Sequence, residues 1–286
     1  MTAFQEFVTH LVPTYGESEA RSMGRIVFED ALNCRYPYEI LPSTELQKKL
    51  DDITCRLLAF EPLQYILGSA DFYGLKFKAD RRALIPRPET EELVEWTVKS
   101  VLEKFQPGAT VRMLDIGTGS GCIPITIKKY LPATDIWAID ISRDALELAQ
   151  INADQLEVEV QFRQVNILRE AQWVGLPQFH VIVSNPPYIP QSEKAQVPDQ
   201  VKDHEPHLAL FVADEDPLVF YTAISKFAWS QLLPEGLLFF ECNEFNAAKV
   251  VELLENKGFQ EVELCQDLSG KDRMVRAKRR YVFMTE

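Results

Sequence analysis

One segment limits the folding of this chain more than any other: MLDIGTGSGCI, residues 113–123, an apolar strand that runs into three alternating glycines and then a helix. A strand turns that abruptly into a helix only where the backbone doubles back, and glycine permits this at least cost. The segment belongs to a longer alternation. Helical spacing marks 91–105, 122–130, 142–153 (capped by Ser142), 221–233 and 247–257. Short apolar runs at 111–115, 135–139, 158–162, 179–184 and 237–241 read as strands, and 261–265 with 274–282 reads as a closing hairpin. Strands alternating with helices predict an α/β fold with a mostly parallel sheet covered on both faces. The last hairpin would close it antiparallel at one edge.

Residues 1–70 read differently, as a small all-α domain. Phe4, Phe7, Val8 and Leu11 recur at helical spacing, as do Met23, Ile26, Val27 and Leu32. A third helix is expected from Leu46 to Phe60, with Thr44 and Gln47 as its capping box and Pro62 as its stop. Alternation around Gly74 predicts a hairpin, and Pro86 and Pro88 stiffen the backbone on either side of Arg87. The expected domains are therefore 1–70 helical, 71–88 hairpin and linker, and 89–286 the α/β domain.

The chain carries 43 acidic against 30 basic residues, a net charge of −13. Such a surface repels phosphate backbones, so no direct nucleic-acid partner is expected. Five scattered cysteines without a C-x-x-C pair fit free thiols and speak against a zinc site. The N-terminus lacks the basic and apolar regions of a signal peptide, and no stretch is long and apolar enough to span a membrane. A cytoplasmic monomer without a metal is expected.

Three features carry chemistry. The glycine loop is not a phosphate-binding loop, because Cys122 and Ile123 follow its last glycine and Asp115 precedes it. A carboxylate there suits a cationic or amino-acid-like ligand. Asp140 ends the next strand, about 20 residues on, where an acid accepts from ribose hydroxyls. An exposed strand-end carboxylate is the alternative, and the loop ahead of it favours ribose. Asn185-Pro186-Pro187-Tyr188 follows the strand at 179–184, beyond the carboxyl end of the sheet, where ligands bind in open α/β folds. Prolines lack N–H groups and leave carbonyls free. With the Asn185 oxygen and the Tyr188 ring, the turn suits a planar –NH2 group: two acceptors for its protons and a flat face for stacking.

In this order the three features resemble the class I S-adenosylmethionine-dependent methyltransferases that modify planar amino nitrogens. More closely the chain resembles the HemK/PrmC family, the N5-glutamine methyltransferases of peptide chain release factors. The resemblance covers about 62–275 and rests on PLQYILG (62–68), FYG (72–74), LIPRPETE (84–91), LDIGTGSGCI (114–123), SNPPYI (184–189), EPHLAL (205–210) and GKDR (270–273). It implies a Rossmann-like domain and an S-adenosylmethionine cofactor that leaves as S-adenosylhomocysteine. Gly117, Thr118, Gly119, Ser120 and Gly121 would wrap its methionine part, with Asp115 beside the ammonium and Asp140 on the ribose. Asn166 and Ile167 stand where the family usually has an acid near the adenine. Asn185, Pro186, Pro187 and Tyr188 would bind the substrate amide, with Asn185, Pro186 and Tyr188 as catalytic residues and Asn185 also touching the cofactor. The implied substrate is the glutamine of the Gly-Gly-Gln loop of release factors. Methylation of nucleic-acid exocyclic amines such as adenine N6, or of a ribosomal-protein glutamine, is the alternative, and a cofactor-binding protein without turnover is a further one.

Other motifs have plainer readings. His204-Glu-Pro-His207 is read as a loop of solvated polar residues, since Pro206 breaks any metal-binding helix. The basic run 271–280 is read as one solvated strand face, Trp137, Trp173 and Trp229 as core packing, and Cys122 as a small helix residue.

Overall fold

The computed structural model describes residues 2–34 and 43–280. The chain forms two compact units, Met1–Ser69 with Val197–His204, and Ala70–Gln196 with Glu205–Glu286.

The first unit is helical. Helix α1 (Ala3–Ile26) begins at Thr2, whose side chain accepts from the Gln5 N–H while the Gln5 side chain accepts from the Thr2 N–H. That reciprocal cap belongs to this helix and not to the next. Helix α2 (Thr44–Leu58) is capped one residue earlier than expected, by Ser43 accepting from the Leu46 N–H at 3.3 Å. It ends at Ala59, short of Pro62, and α3 (Leu63–Leu67) follows, closed by Gly68 at φ 70°. Gly16, at φ 78° and ψ 164°, interrupts α1, which explains why its apolar pattern comes in two stretches. Phe4, Phe7, Leu11, Val27, Phe28, Leu50, Ile53 and Leu57 form the buried core of the unit.

The second unit opens with the hairpin β1 (Ser69–Phe72) and β2 (Leu75–Lys78). Phe72 and Phe77 lie in one core with Leu93, Ile125 and Phe239, so residues 71–88 are structurally part of this unit. Then come α4 (Pro88–Lys104), β3 (Arg112–Ile116), α5 (Cys122–Tyr130), β4 (Asp135–Asp140), α6 (Arg143–Gln155), β5 (Gln161–Gln164) and β6 (Phe179–Ser184). The tiny strand β7 (Ile189–Pro190) follows; α7 (Asp199–His204) belongs to the helical unit. The chain continues through α8 (His207–Leu210), β8 (Phe211–Val212), α9 (Val219–Gln231), β9 (Leu232–Glu241), α10 (Ala247–Asn256), β10 (Gln260–Gln266) and β11 (Asp272–Lys278). Seven strands form one sheet in the order β10-β11-β9-β6-β3-β4-β5. The five from β9 to β5 run parallel, and β10 and β11 close one edge antiparallel. This is the expected α/β architecture.

The differences are local. Val158, expected to begin a strand, instead closes the end of helix α6, its N–H donating to the Ala153 carbonyl, and β5 starts at Gln161. Strand β9 begins at Leu232, across an irregularity opposite His180 in its pairing with β6. The last two residues of the strand expected over 274–282 lie outside the described residues. The basic run is not a solvated face, because β11 lies inside the sheet and Met274, Val275 and Ala277 are buried. Four of its cations are paired with acids: Lys271 with Glu244, Arg273 with Asp267, Arg276 with Glu263, and Lys278 with Glu235 and Glu261.

One buried amide joins three parts of this unit. Asn152 of α6 accepts the Lys78 N–H at 2.7 Å and donates to the carbonyls of Lys78 and Ser120 at 3.2 and 2.9 Å. It thereby ties β2 and the glycine loop to α6. Removing it leaves the buried Ser120 carbonyl and the part-buried Lys78 N–H and carbonyl unpaired, at about 1–3 kcal/mol for a fully buried group and less for the others. Asn152→Ala is expected to lower unfolding free energy by about 3 kcal/mol in urea denaturation. A loss under about 0.5 kcal/mol, the scale of an ordinary surface substitution, would contradict this account.

Candidate active site

Parallel pairing aligns Ile116 of β3 with Ile139 of β4 on one side and Ser184 of β6 on the other. The turns that follow these strands therefore emerge at one edge of the sheet, where the chain order reverses. The Ser184 hydroxyl donates to the Ile116 carbonyl at 2.7 Å and fixes β6 to β3 there.

Gly117, Gly119 and Gly121 all take left-handed φ values, 76°, 54° and 81°. At Gly121 a Cβ would lie 2.9 Å from Ile125 Cδ1 and 3.0 Å from Ala149 Cβ, so this glycine lets the loop pack on α6. The N–H groups of Gly117 and Thr118 donate to the Ile139 carbonyl, that of Gly119 to Asp140 Oδ2, and that of Gly121 to the Thr118 carbonyl. Donors so engaged do not form an anion cradle, which agrees with the sequence reading against a phosphate loop. Asp140 Oδ1 also accepts the Ser142 N–H at 2.9 Å. Asp140 thus anchors the glycine loop and the start of α6, and each oxygen keeps a lone pair for a further donor.

Asp115 is the electrostatic extreme of the site. It is 1% exposed, and neither carboxylate oxygen has a protein hydrogen-bond partner. Burial pushes its carboxyl up to about 7; the Thr118 hydroxyl beside it opposes the rise, and the Asp140 charge adds to it. A buried carboxylate without a donor is costly unless a ligand supplies one. An ammonium group meets that need.

A cavity of about 200 Å³ opens at this edge. Gly117, Gly119, Asp140, Asn166, Ile167, Asn185, Pro186 and Pro187 are the expected site residues that line it. Asp115, Thr118, Ser120, Gly121 and Tyr188 do not. Tyr188 packs, partly buried, against the core that contains Tyr221 and Phe240, and burial raises its hydroxyl pKa. Its ring packs in part against that core and is not among the residues lining the cavity. The Asn166 oxygen is already engaged, accepting the Leu168 N–H at 2.9 Å, and only its second lone pair is free for an adenine amino group. Trp173 is a core residue, edge-on to Phe227 at 5.2 Å, and burial pushes the Cys122 thiol up to about 12, far from a nucleophile's range.

Sequence reasoning missed four residues. Glu205 is 4% exposed and not solvated; it accepts from the Ile85 N–H at 3.0 Å and from Arg87 at 2.6 Å, binding the IPRPETE segment to EPHLAL. Thr90 and Glu241 are both buried, and the Thr90 hydroxyl donates to Glu241 Oε2 at 2.6 Å. Asn185 Nδ2 donates in turn to the Thr90 oxygen at 3.1 Å. The two prolines around Arg87 were the available signal for the Arg87–Glu205 pair. No group of three or more His, Cys, Asp or Glu side chains placed for a metal ion occurs among the described residues, and no helix there is long and apolar enough to cross a membrane.

The residues present fit the amino-acid end of S-adenosylmethionine, because Asp115 lacks the donor that its ammonium provides. That contact needs the ionised carboxylate, which predominates only above about pH 7. Cofactor affinity is expected to weaken about tenfold from pH 8 to pH 6, as measured by calorimetry. Asp115→Asn should bind weakly and without that dependence; an unchanged pH profile in this variant would assign the titration elsewhere.

Comparison with known proteins bears on the same residues. The methyltransferase small domain family matches residues 94–204. A release factor glutamine methyltransferase of Flavobacterium psychrophilum is 43% identical over 282 residues, covering 95% of this chain and 96% of that protein. A protein of the same description from Bacteroides thetaiotaomicron is 42% identical over 250 residues, 87% of each. The fold is shared with a solved methyltransferase from Pyrococcus furiosus at TM-score 0.54 and 15% identity, over 84% of this chain and 100% of that one. With cavity, glycine loop and Asn-Pro-Pro-Tyr turn at one sheet edge, and with identity at this level over nearly the whole length, the chain belongs to the release factor glutamine methyltransferase family.

Proposed function

We propose that this protein transfers a methyl group from S-adenosylmethionine to the side-chain amide nitrogen of the glutamine in the Gly-Gly-Gln loop of peptide chain release factors. The observation that carries this reading is the Asn185-Pro186 edge of the cavity. Asn185 donates its Nδ2 inward to Thr90, which leaves Oδ1 as a free acceptor, and Pro186 and Pro187 bring carbonyls without N–H groups. Such an edge is matched to a group that carries two protons in a plane.

Asp115 would hold the cofactor's ammonium, Gly117–Gly121 its methionine chain, Asp140 the ribose hydroxyls, and Asn166 and Ile167 the adenine. Bound there, the cofactor supplies an electrophilic sulfonium methyl. The protein's task is alignment and exclusion of water, since an amide nitrogen is a poor nucleophile whose lone pair is shared with its carbonyl. Holding the reacting atoms in line is worth up to about 7–11 kcal/mol. Asn185 Oδ1 and the Pro186 carbonyl accept the two amide protons, which favours positive charge developing on nitrogen. The substrate nitrogen would gain the methyl carbon as the carbon–sulfur bond breaks and sulfur keeps that electron pair, and would then lose one proton to water; an N-protonated amide is acidic enough to need no dedicated base.

The helical unit would recognise the protein substrate. Five free cysteines support a reducing, cytoplasmic setting.

The test offers labelled cofactor with purified release factor and, separately, with DNA, and maps label by peptide mass spectrometry. One methyl on the loop glutamine is expected. Asn185→Ala should bind cofactor within about twofold of the parent and lose about a hundredfold in turnover. Label in DNA and not in the release factor would replace this reading.

A further inference from the structure

We propose that Thr90 and Glu241 form a positioning relay that sets which end of the Asn185 amide faces the substrate. The inference rests on the function proposed above and deepens it.

The two ends of an asparagine amide have nearly the same size and shape, so packing alone does not choose between them. Hydrogen-bond direction does. An ionised carboxylate only accepts. Glu241 therefore takes the one hydroxyl proton of Thr90, at 2.6 Å. Thr90 is left with lone pairs only, and the neighbour that matches them is an N–H; Asn185 Nδ2 fills that place at 3.1 Å. With Nδ2 turned inward, Oδ1 faces the cavity as an acceptor for the substrate's –NH2. The reversed amide would set two acceptors against each other inside and two donors against each other in the site.

The relay has a rigid frame. Thr90 lies in the first turn of α4, which Pro88 starts, and is 3% exposed; Glu241 ends β9 and is 2% exposed. The threonine of IPRPETE is thereby given a task that its place in the sequence does not reveal. The groups facing Glu241 come from several elements: Glu89 of α4, Cys122 of α5, Tyr188 after β6, Tyr221 of α9, Cys242 after β9 and Arg273 of β11. Burial and the Glu89 charge raise the Glu241 carboxyl to about 7, while Thr90, Arg273 and Asn185 draw it down. A protonated Glu241 can donate to Thr90, whose proton then points at Asn185 and reverses the amide. Turnover should fall as pH drops through that range.

The experiment measures kcat at saturating cofactor and release factor across pH 5.5–9, so that the Asp115 titration does not enter, alongside cofactor Kd. Thr90→Val keeps the shape and removes the hydroxyl; kcat is expected to fall about tenfold or more, with Kd within about twofold. Thr90→Ser should restore kcat to within about threefold of the parent, which a packing role for the methyl group would not predict. Glu241→Gln should lose the acidic limb of the profile. Parent-like kcat in Thr90→Val, a Thr90→Ser variant as impaired as Thr90→Val, or an acidic limb retained in Glu241→Gln would each overturn the relay alone. A parent protein inert toward release factors would overturn the functional reading and the relay with it.

Discussion

The site depends on parallel pairing of β3 with β4 on one side and β6 on the other. That ladder brings Asp115, Asp140 and Asn185, which span 71 positions of sequence, to one edge of the sheet. Parallel strands require long crossovers, and here the turn that leaves each of these strands carries one part of the chemistry. The ladder itself is ordinary hydrophobic burial, with Leu114, Ile139 and Ile182 almost wholly inaccessible. Its register aligns the site.

Around this edge the molecule gives up stability for function. Asp115 and Glu241 are buried acids whose carboxyls are pushed to about 7. Neither arrangement is what packing alone would select, and perturbed groups of this kind gather at functional sites. Their partners differ. Glu241 has Thr90 within the protein and Arg273 nearby, whereas neither Asp115 oxygen is met by a well-formed protein hydrogen bond, the Thr118 hydroxyl lying only beside it. One acid is completed by the fold, and the other is left open for the ammonium proposed above.

Much of this was legible in the sequence because local chemistry determines it. Three glycines at alternate positions, an acid at the next strand end and two prolines after a buried strand each say something without reference to distant residues. The α/β alternation was legible for the same reason. What stayed hidden depends on pairs far apart in the chain. Thr90 and Glu241 lie 151 residues apart, and alone they look like a helix-start threonine and a strand-end acid. The basic run misled because its acid partners sit elsewhere in the chain, on β10, on β9 and in nearby loops. The packing of Tyr188 was not legible, because a tyrosine after two prolines can turn either to the ligand or to the core, and here it packs, partly buried, against the core of Tyr221 and Phe240.

The unpartnered carboxylate of Asp115 also bears on how the reaction ends. S-adenosylhomocysteine keeps the ammonium group and loses only the methyl and the sulfonium charge. A contact made to the shared ammonium discriminates poorly between spent and fresh cofactor. If Asp115 holds the ammonium as proposed, the by-product would compete for the same anchor, and the working rate would follow the ratio of the two molecules as well as the supply of either. Inhibition by product would in this sense be built into the strand that begins the site.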